Sequence, residues 1–177
     1  ALPILSAAEV WFLRAEAALR YNTGDDVENC YKQGVTVSFA QWDANGVSDY
    51  LESDNIPAAY VDVFDAKFNA DAPSTITPKW DNTADKEEKL ERIITQKWLA
   101  LYPEGCEAWA EQRRTGYPQL IKVAVNNSGN TISTDDMIRR VFFNQDYKTD
   151  NKALYDALVS KLGGADNGGT RSEERRV

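Results

Sequence analysis

The sequence predicts an all-α fold in which tetratricopeptide-like helix hairpins are joined by irregular loops and short extended segments. Three amphipathic segments indicate this fold, because each opens with a polar capping residue that is followed three residues later by glutamate. The capping residues are Ser6, Asp25 and Asp85. The chain has 177 residues and is 42% hydrophobic, which suffices for one domain with a packed core.

The first helix should run from the capping box of Ser6 and Glu9 to about Tyr21. Its apolar residues fall on two stripes at helical spacing. One stripe consists of Ala8, Trp11, Phe12, Ala15, Ala18 and Leu19. The other consists of Val10, Leu13, Ala17 and Tyr21. Because the helix is apolar on two sides, we expect it to pack between neighbours.

The second helix should begin with Asp25 and Glu28 as its cap and run to about Trp42. Gly34 lies in its middle, where glycine costs roughly 1 kcal/mol relative to alanine. We therefore predict that another helix crosses closely at this position. The two helices form one antiparallel hairpin of tetratricopeptide-like size, although the chain has no visible repeat period.

Residues 44–84 are less regular. Pro57 can begin a short helix, because aromatic residues recur every four positions after it. These aromatic residues are Tyr60, Phe64 and Phe68. Residues 72–83 are rich in proline and threonine and predict a loop, which contains Trp80.

A third strong helix is predicted over residues 86–102, with Asp85 as its cap. A turn at residues 103–105 then leads into a shorter helix over residues 106–114, which Gly116 ends. The remaining predicted elements are extended segments at residues 120–125 and 138–143, a helix at residues 151–162, and a disordered or non-native tail at residues 172–177.

The composition excludes several classes of function. The net charge of −8 disfavours nucleic acid and anionic lipid as partners, because both require clusters of Lys and Arg. The sequence has no histidine, so imidazole catalysis and histidine-ligated zinc are absent. Cys30 and Cys106 are too few for a structural zinc site, and we expect two buried free thiols. No carboxylate pair lies in a context that would raise a pKa, so we expect neither an enzyme nor a cofactor or metal.

Several blocks of sequence occur in the order found in one known family. They are residues 3–18, 80–90 (WDNTADKEEKL), 94–102 (ITQKWLALY), 108–118 (AWAEQRRTGYP), 138–140 and 162–166. With these blocks the chain resembles the SusD/RagB-like outer-membrane nutrient-binding lipoproteins along nearly its whole length.

The resemblance implies a surface-exposed lipoprotein in the outer membrane of a Gram-negative bacterium. Such a protein captures oligosaccharides for uptake through a SusC-like TonB-dependent transporter. The resemblance further implies that residues 1–171 are the C-terminal helical part of a longer protein, whose lipid anchor lies outside this chain. The alternative, from another class of function, is a helical-repeat adaptor that binds proteins and no sugar.

Trp80, Asp81 and Asn82 are the first candidates for contact with a glycan. A sugar ring stacks its C–H face on a flat aromatic side chain, while carboxylate and amide groups bind the hydroxyls at its rim. Tyr50 and Tyr60 in the irregular region are further candidate platforms. For all three aromatic residues the alternative is packing, in which Trp80 attaches its loop to the helices.

Arg113 and Arg114 beside Trp109 allow two interpretations. The arginines can bind an anionic group against the aromatic face. They can instead bridge helix ends to carboxylates such as Glu16 or Glu111, with Trp109 in the core. A motif of fixed spacing favours the second interpretation, so we expect ligand contact elsewhere, on loops.

Overall fold

The computed structural model describes residues 5–129, 132–134, 138, 140–164, 166 and 168. The α-helices within these residues are α1 (Ala7–Tyr21), α2 (Val27–Gln41), α3 (Val47–Leu51), α4 (Lys86–Ala100), α5 (Gly105–Thr115), α6 (Gln145–Asp150) and α7 (Lys152–Lys161). The all-α prediction is confirmed, whereas the predicted tail at residues 172–177 lies outside the described residues. None of the described helices has the length and apolar character needed to span a membrane.

Contacts divide the described residues into two units. The first contains the chain up to Ala58 and the segment Ala72–Leu120. The second contains Ala59–Asp71 and the described residues from Ile121 onward. Helices α1 to α5 therefore belong to the first unit, and α6 and α7 belong to the second.

Helix α1 begins where the capping box predicts. The Oγ atom of Ser6 accepts a hydrogen bond from the Glu9 backbone N–H at 3.0 Å, and Asn22 ends the helix in a left-handed conformation with φ of 53°. The first apolar stripe faces α2 and α4 and is largely buried. The second stripe is exposed, with Val10 and Leu13 at 41% and 40% of their surface. Within the described residues, α1 is thus packed on one side rather than on two.

Helix α2 begins one residue later than predicted. Its cap is Asp26, whose carboxylate accepts a hydrogen bond from the Asn29 backbone N–H at 2.6 Å. Asp25 instead binds Arg14 of α1, with two guanidinium contacts of 2.7 and 3.0 Å. Both aspartates suit a cap by residue type, and the ion pair with α1 decides which of them takes that role.

The predicted close crossing at Gly34 is confirmed. A Cβ atom at Gly34 would lie 2.7 Å from the nearest ring carbon of Phe12 in α1. Phe12 has no exposed surface, so its ring is held by close-packed neighbours and has no room to move. The missing side chain at Gly34 therefore sets the spacing of the α1–α2 hairpin.

Gly34→Ala is expected to lower the free energy of unfolding by about 1–2 kcal/mol. Overpacking costs about 1–3 kcal/mol, and a contact of 2.7 Å with a buried ring belongs in the upper part of that range. The cost therefore exceeds the gain of roughly 1 kcal/mol in helix propensity. Urea unfolding of the variant and the wild type measures the difference. Gly105→Ala is the matched control, because Gly105 opens α5 with free space around it and the substitution should be neutral or mildly stabilising. A Gly34→Ala variant as stable as the wild type would contradict the tight crossing.

The core of the first unit lies where α1, α2 and α4 meet. Its buried members are Ala8, Phe12, Ala15, Cys30, Tyr31, Val35, Trp80, Ile93 and Ala100. The rings of Phe12 and Tyr31 meet edge to face, with centroids 6.3 Å apart. Cys30 is buried here as a free thiol, whereas Cys106 is free but exposed. The prediction of two buried thiols is therefore right for Cys30 and wrong for Cys106, which lies in the first turn of α5 on its solvent side.

Helices α4 and α5 follow the predicted bounds closely. The carboxylate of Asp85 caps α4 by accepting from the Glu88 backbone N–H at 2.8 Å. Helix α5 ends at Gly116, whose φ of 85° is a left-handed conformation that glycine adopts without strain. The predicted helix–turn–helix segment is thus confirmed to within two residues at each end.

The helix predicted from Pro57 is wrong. The chain there is irregular, and an isolated antiparallel bridge joins Tyr60 to Ala70. A 3-10 turn at Ala66–Phe68 lies between the two bridge residues. The segment therefore pairs across a loop instead of along a helix, and its three aromatic residues do not share one helical face.

The second unit contains one predicted helix and one that was not predicted. Helix α7 matches the prediction at residues 151–162, and the side chain of Asn151 caps it by accepting from the Leu154 backbone N–H at 3.1 Å. Helix α6 precedes it directly and was missed. Residues 120–125 and the described residues among 138–143 form no strand, and residue 139 of that second segment lies outside the described residues.

Candidate functional site

Trp80 lies in the core of the first unit. Only 9% of its surface is exposed, and its ring packs against that of Tyr31 with centroids 5.2 Å apart. The indole N–H donates a hydrogen bond to Oδ1 of Asn82 at 3.0 Å, and the Tyr31 hydroxyl donates to the backbone carbonyl of Pro78. These contacts attach the loop to the helices, as the packing interpretation expects. Stacking of a sugar on Trp80 stays a prediction that this burial disfavours.

Asp81 and Asn82 stabilise the turn that follows Trp80. The Asp81 carboxylate accepts from the hydroxyl and the backbone N–H of Thr83 at 2.6 and 2.7 Å, and these bonds lower its pKa. Asn82 is exposed and donates from Nδ2 to Glu28 at 2.9 Å. Lys89 donates to the Asn82 backbone carbonyl at 2.8 Å. Asp81 and Asn82, the residues predicted to bind sugar hydroxyls, therefore both stabilise the local backbone, and Asn82 is the more accessible of the two.

Tyr50 is half-buried in the first unit. Its hydroxyl donates a hydrogen bond to Oε1 of Gln96 at 3.0 Å, and its ring lies against Phe39 with centroids 5.2 Å apart. Burial raises the pKa of the Tyr50 hydroxyl. These contacts join α3 to α2 and α4, which is the packing role that the sequence left open.

Tyr60 is the most accessible of the three candidate platforms Trp80, Tyr50 and Tyr60, with 46% of its surface exposed. Its backbone N–H donates to the Ala70 carbonyl at 2.8 Å, and its carbonyl accepts from the Ala70 N–H at 3.0 Å. The hydroxyl donates to Oδ2 of Asp62 at 2.9 Å, and this bond raises the pKa of Tyr60. The ring is thus fixed at its backbone and at its tip.

Asp62 is the residue that organises this loop. Its Oδ1 atom accepts from the backbone N–H groups of Phe64 and Asp65, both at 2.9 Å. Its own N–H donates to Oδ1 of Asn69 at 2.8 Å. The bonds from Asp65, Phe64 and the Tyr60 hydroxyl hold the pKa of Asp62 below its usual value.

Tyr60 borders an open pocket in the second unit. The pocket has a volume of about 450 Å³, within the range of about 300–1,000 Å³ that ligand sites occupy. Its lining residues are Tyr60, Asp62, Phe68, Ile121, Lys122, Val123, Ala124 and Val125. Sequence reasoning missed the wall Ile121–Val125, which it treated as an extended connection. The sequence signal that was available is the short apolar run at residues 121–125, which precedes a turn.

A group of charged residues with buried carboxylates connects α1, α4 and α5. Arg114 donates to the two carboxylate oxygens of Glu16 at 2.7 and 2.6 Å and to those of Glu111 at 3.1 and 2.7 Å. Both glutamates are 5% exposed. The prediction that an arginine bridges to these carboxylates is confirmed for Arg114. Trp109 is 40% exposed beneath the Arg113 guanidinium, so its predicted core position is wrong.

Lys97 of α4 is the central cation of this group, with 1% of its surface exposed. Its Nζ atom lies 3.3 Å from Glu111 and 3.9 Å from Glu9. Burial raises the pKa of Glu9 although Lys97 opposes it. For Glu16 burial acts in the same direction, but the hydrogen bonds and charge of Arg114 outweigh it and the pKa is lowered. Its carboxylates and Lys97 are buried, and each carboxylate lies against a protein cation, which suits a scaffold and not a ligand site.

Residues 1–172 match the family model described as SusD-like, the SusD and RagB outer membrane lipoproteins. The chain belongs to the SusD-like family. The family prediction from residues 94–102 and 108–118 is therefore confirmed, and the family is one of outer membrane lipoproteins.

Solved structures of SusD homologues share the fold of this SusD-like chain. A homologue from Bacteroides thetaiotaomicron is 41% identical with a TM-score of 0.83, over 97% of this chain and 38% of its own. A homologue from Bacteroides vulgatus is 51% identical with a TM-score of 0.81, and the match covers 95% of this chain and 34% of the homologue. A chitin-binding homologue from Flavobacterium johnsoniae is 47% identical with a TM-score of 0.79, and the match covers 93% of this chain and 35% of the homologue. The chain thus spans little more than a third of the length of these relatives. No curated protein sequence matches it.

The predicted contact residues of this SusD-like chain are divided between the two units. Trp80, Asp81 and Asn82 share one turn in the first unit, where the ring is buried. Tyr50 packs between helices of the same unit. Tyr60 belongs to the second unit and borders the pocket.

Proposed function

We propose that the protein to which this chain belongs binds oligosaccharides at the cell surface for uptake through a SusC-like TonB-dependent transporter. Membership of the SusD-like family over residues 1–172 carries the proposal. A relative that is 47% identical is described as chitin-binding, which supports a glycan as the ligand. We further propose that residues 1–171 are the C-terminal helical part of a surface lipoprotein, followed by a tail at residues 172–177.

The chemistry of the described residues supports binding rather than catalysis. Glu16 and Glu111 are neutralised by Arg114 in the helical scaffold. Asp85 caps α4, and Asp62 organises the Tyr60 loop. Glycoside hydrolysis needs two carboxyl groups that face a substrate, one of them with a raised pKa. Glu9 has a raised pKa, contrary to the sequence expectation, but it is 6% exposed beside Lys97 in the scaffold. These carboxylates thus serve the structure, and among the predicted contact residues Tyr60 supports glycan binding best.

The full-length protein is expected to give saturable heat in calorimetry with at least one oligosaccharide. The panel consists of chito-, cello-, malto- and xylo-oligosaccharides, with chito-oligosaccharides first because of the chitin-binding relative. Aromatic stacking and rim hydrogen bonds require a ligand that covers several groups at once. The corresponding monosaccharides are the control ligands and should bind more weakly.

The transporter partnership has its own readout. The tagged full-length protein, purified in detergent from its native membrane, is expected to retain a TonB-dependent transporter. Absence of heat across the whole panel, together with recovery of the transporter, would favour the helical adaptor that binds no sugar. Saturable heat without recovery of a transporter would support glycan binding and contradict the proposed transporter partnership.

A further inference from the structure

We propose that the Tyr60 pocket is a sugar subsite that selects an N-acetylated residue, an inference that rests on the proposed glycan-binding function. The pocket combines an exposed aromatic ring, a carboxylate and an apolar wall. Each of these three features matches one part of an acetamido sugar: its C–H face, its hydroxyls and its acetyl methyl group.

The aromatic ring is held in place before any ligand arrives. The Tyr60 backbone exchanges two hydrogen bonds with Ala70, and its hydroxyl is bound to Asp62. Asp62 is in turn held by the backbone N–H groups of Phe64 and Asp65. A side chain that is ordered in advance loses little conformational entropy on binding, which favours affinity. Asp62 is therefore a positioning residue for the Tyr60 platform.

The Asp62–Tyr60 pair also provides acceptors for sugar hydroxyls. A carboxylate offers about four acceptor sites, and three of those on Asp62 are filled by Phe64, Asp65 and Tyr60. The Tyr60 oxygen donates its proton to Asp62, so its lone pairs remain available as acceptors. The pocket rim can thus receive hydroxyl donors at two neighbouring oxygens.

Part of the pocket lining is apolar. Phe68, Ile121 and Val123 line it, each with 40–61% of its surface exposed. A hydroxyl directed at this wall would lose its hydrogen bonds to water without replacement. A methyl group would instead gain from contact with the wall. An acetamido group at the sugar ring places a methyl group where a bare sugar has only a hydroxyl, and this difference selects the N-acetylated ligand.

Calorimetry of the full-length protein with chitotriose and cellotriose tests this subsite. Chitotriose here is the fully N-acetylated trimer. The two ligands share the β-1,4 linkage and differ at C2 of each sugar, which carries an acetamido group in chitotriose and a hydroxyl in cellotriose. Chitotriose is expected to bind about fourfold or more tightly, the equivalent of one buried methyl group. Tyr60→Ala should weaken chitotriose binding about three- to tenfold. Phe64→Ala is the matched control, because Phe64 is 95% exposed on the same loop and does not line the pocket.

Three further variants separate a loss of positioning or selectivity from a loss of folding. Asp62→Ala should weaken binding as Tyr60→Ala does, and Asp62→Asn should recover part of it, because an amide oxygen still accepts from the backbone. Val123→Asp should reduce the chitotriose preference without affecting the fold, since Val123 is 61% exposed.

Equal affinity for the two ligands would overturn the acetamido selectivity. Wild-type affinity in Tyr60→Ala would overturn the subsite and leave the proposed function intact, whereas no binding of any panel sugar by the wild type would overturn the function itself.

Discussion

Trp80→Ala is expected to lower the free energy of unfolding by about 3–5 kcal/mol, the range for removal of a buried aromatic side chain. The Trp80 ring is 9% exposed and packs on Tyr31, which itself has no exposed surface. The substitution also removes the hydrogen bond from the indole to Asn82, so the loop loses its attachment to the helices. Equilibrium unfolding in urea, followed by far-ultraviolet circular dichroism, measures the change in midpoint and slope.

The matched control for Trp80 is Trp42→Ala. Trp42 is 51% exposed at the end of α2, so the same truncation there should cost well under half as much stability. Trp80→Phe should fall between the two, because phenylalanine keeps ring contacts but not the N–H donor. A Trp80→Ala variant that keeps wild-type stability and loses glycan affinity would contradict the packing role and return Trp80 to the ligand site.

The helices of the first unit were predictable because their signals are local. Ser6 and Asp85 each cap a helix with the expected backbone bond, and a cap depends only on residues three positions apart. Gly34 was informative for a related reason. A glycine in a helix interior has a cost that needs a compensating contact, and Phe12 provides that contact.

The loop around Tyr60 was not predictable because distant residues close it. The spacing of Tyr60, Phe64 and Phe68 suits a helix, but the bridge from Tyr60 to Ala70 and the bonds to Asp62 stabilise a different backbone. Aspartate side chains compete with the helical pattern in this way. In a short segment, helical spacing of apolar residues therefore does not ensure a helix when an aspartate within the segment accepts hydrogen bonds from nearby backbone N–H groups.

The candidate site was only partly predictable, because sequence gives residue type and not burial. Trp80, Asp81 and Asn82 have the composition of a sugar site, yet the indole turns toward Tyr31 and the helices. Tyr60 has the same aromatic chemistry and is left accessible by its loop. The short apolar run at Ile121–Val125 indicated an extended segment but not a pocket wall, since a pocket also depends on residues that are distant in the sequence.

Arg114→Ala is expected to lower the free energy of unfolding by about 2–4 kcal/mol at neutral pH. Truncating one partner of a buried ion pair costs about 3–5 kcal/mol when the other charge is left alone. Here the cost is smaller, because the Arg114 side chain is itself 42% exposed. In addition, Glu16 keeps Arg20 at 2.8 Å and Glu111 keeps Lys97 at 3.3 Å. Arg14→Ala is the control, because the Arg14 side chain is as exposed as that of Arg114 but its partner Asp25 is 34% exposed, so the pair should contribute little.

The pH dependence of this effect identifies its cause. In the folded wild type, burial would raise the pKa of Glu16, but the hydrogen bonds and charge of Arg114 and then Arg20 lower it. A lowered pKa contributes stability above the unfolded value of about 4.3 and loses it as the pH falls through the folded pKa. Arg114→Ala removes the main lowering interaction, so the stability gap between the two proteins should be largest near pH 7 and narrow below about pH 4. A gap of constant size from pH 7 to pH 3 would mean that Arg114 acts through the packing of its side-chain stem, and Arg114→Met would then restore the wild-type stability.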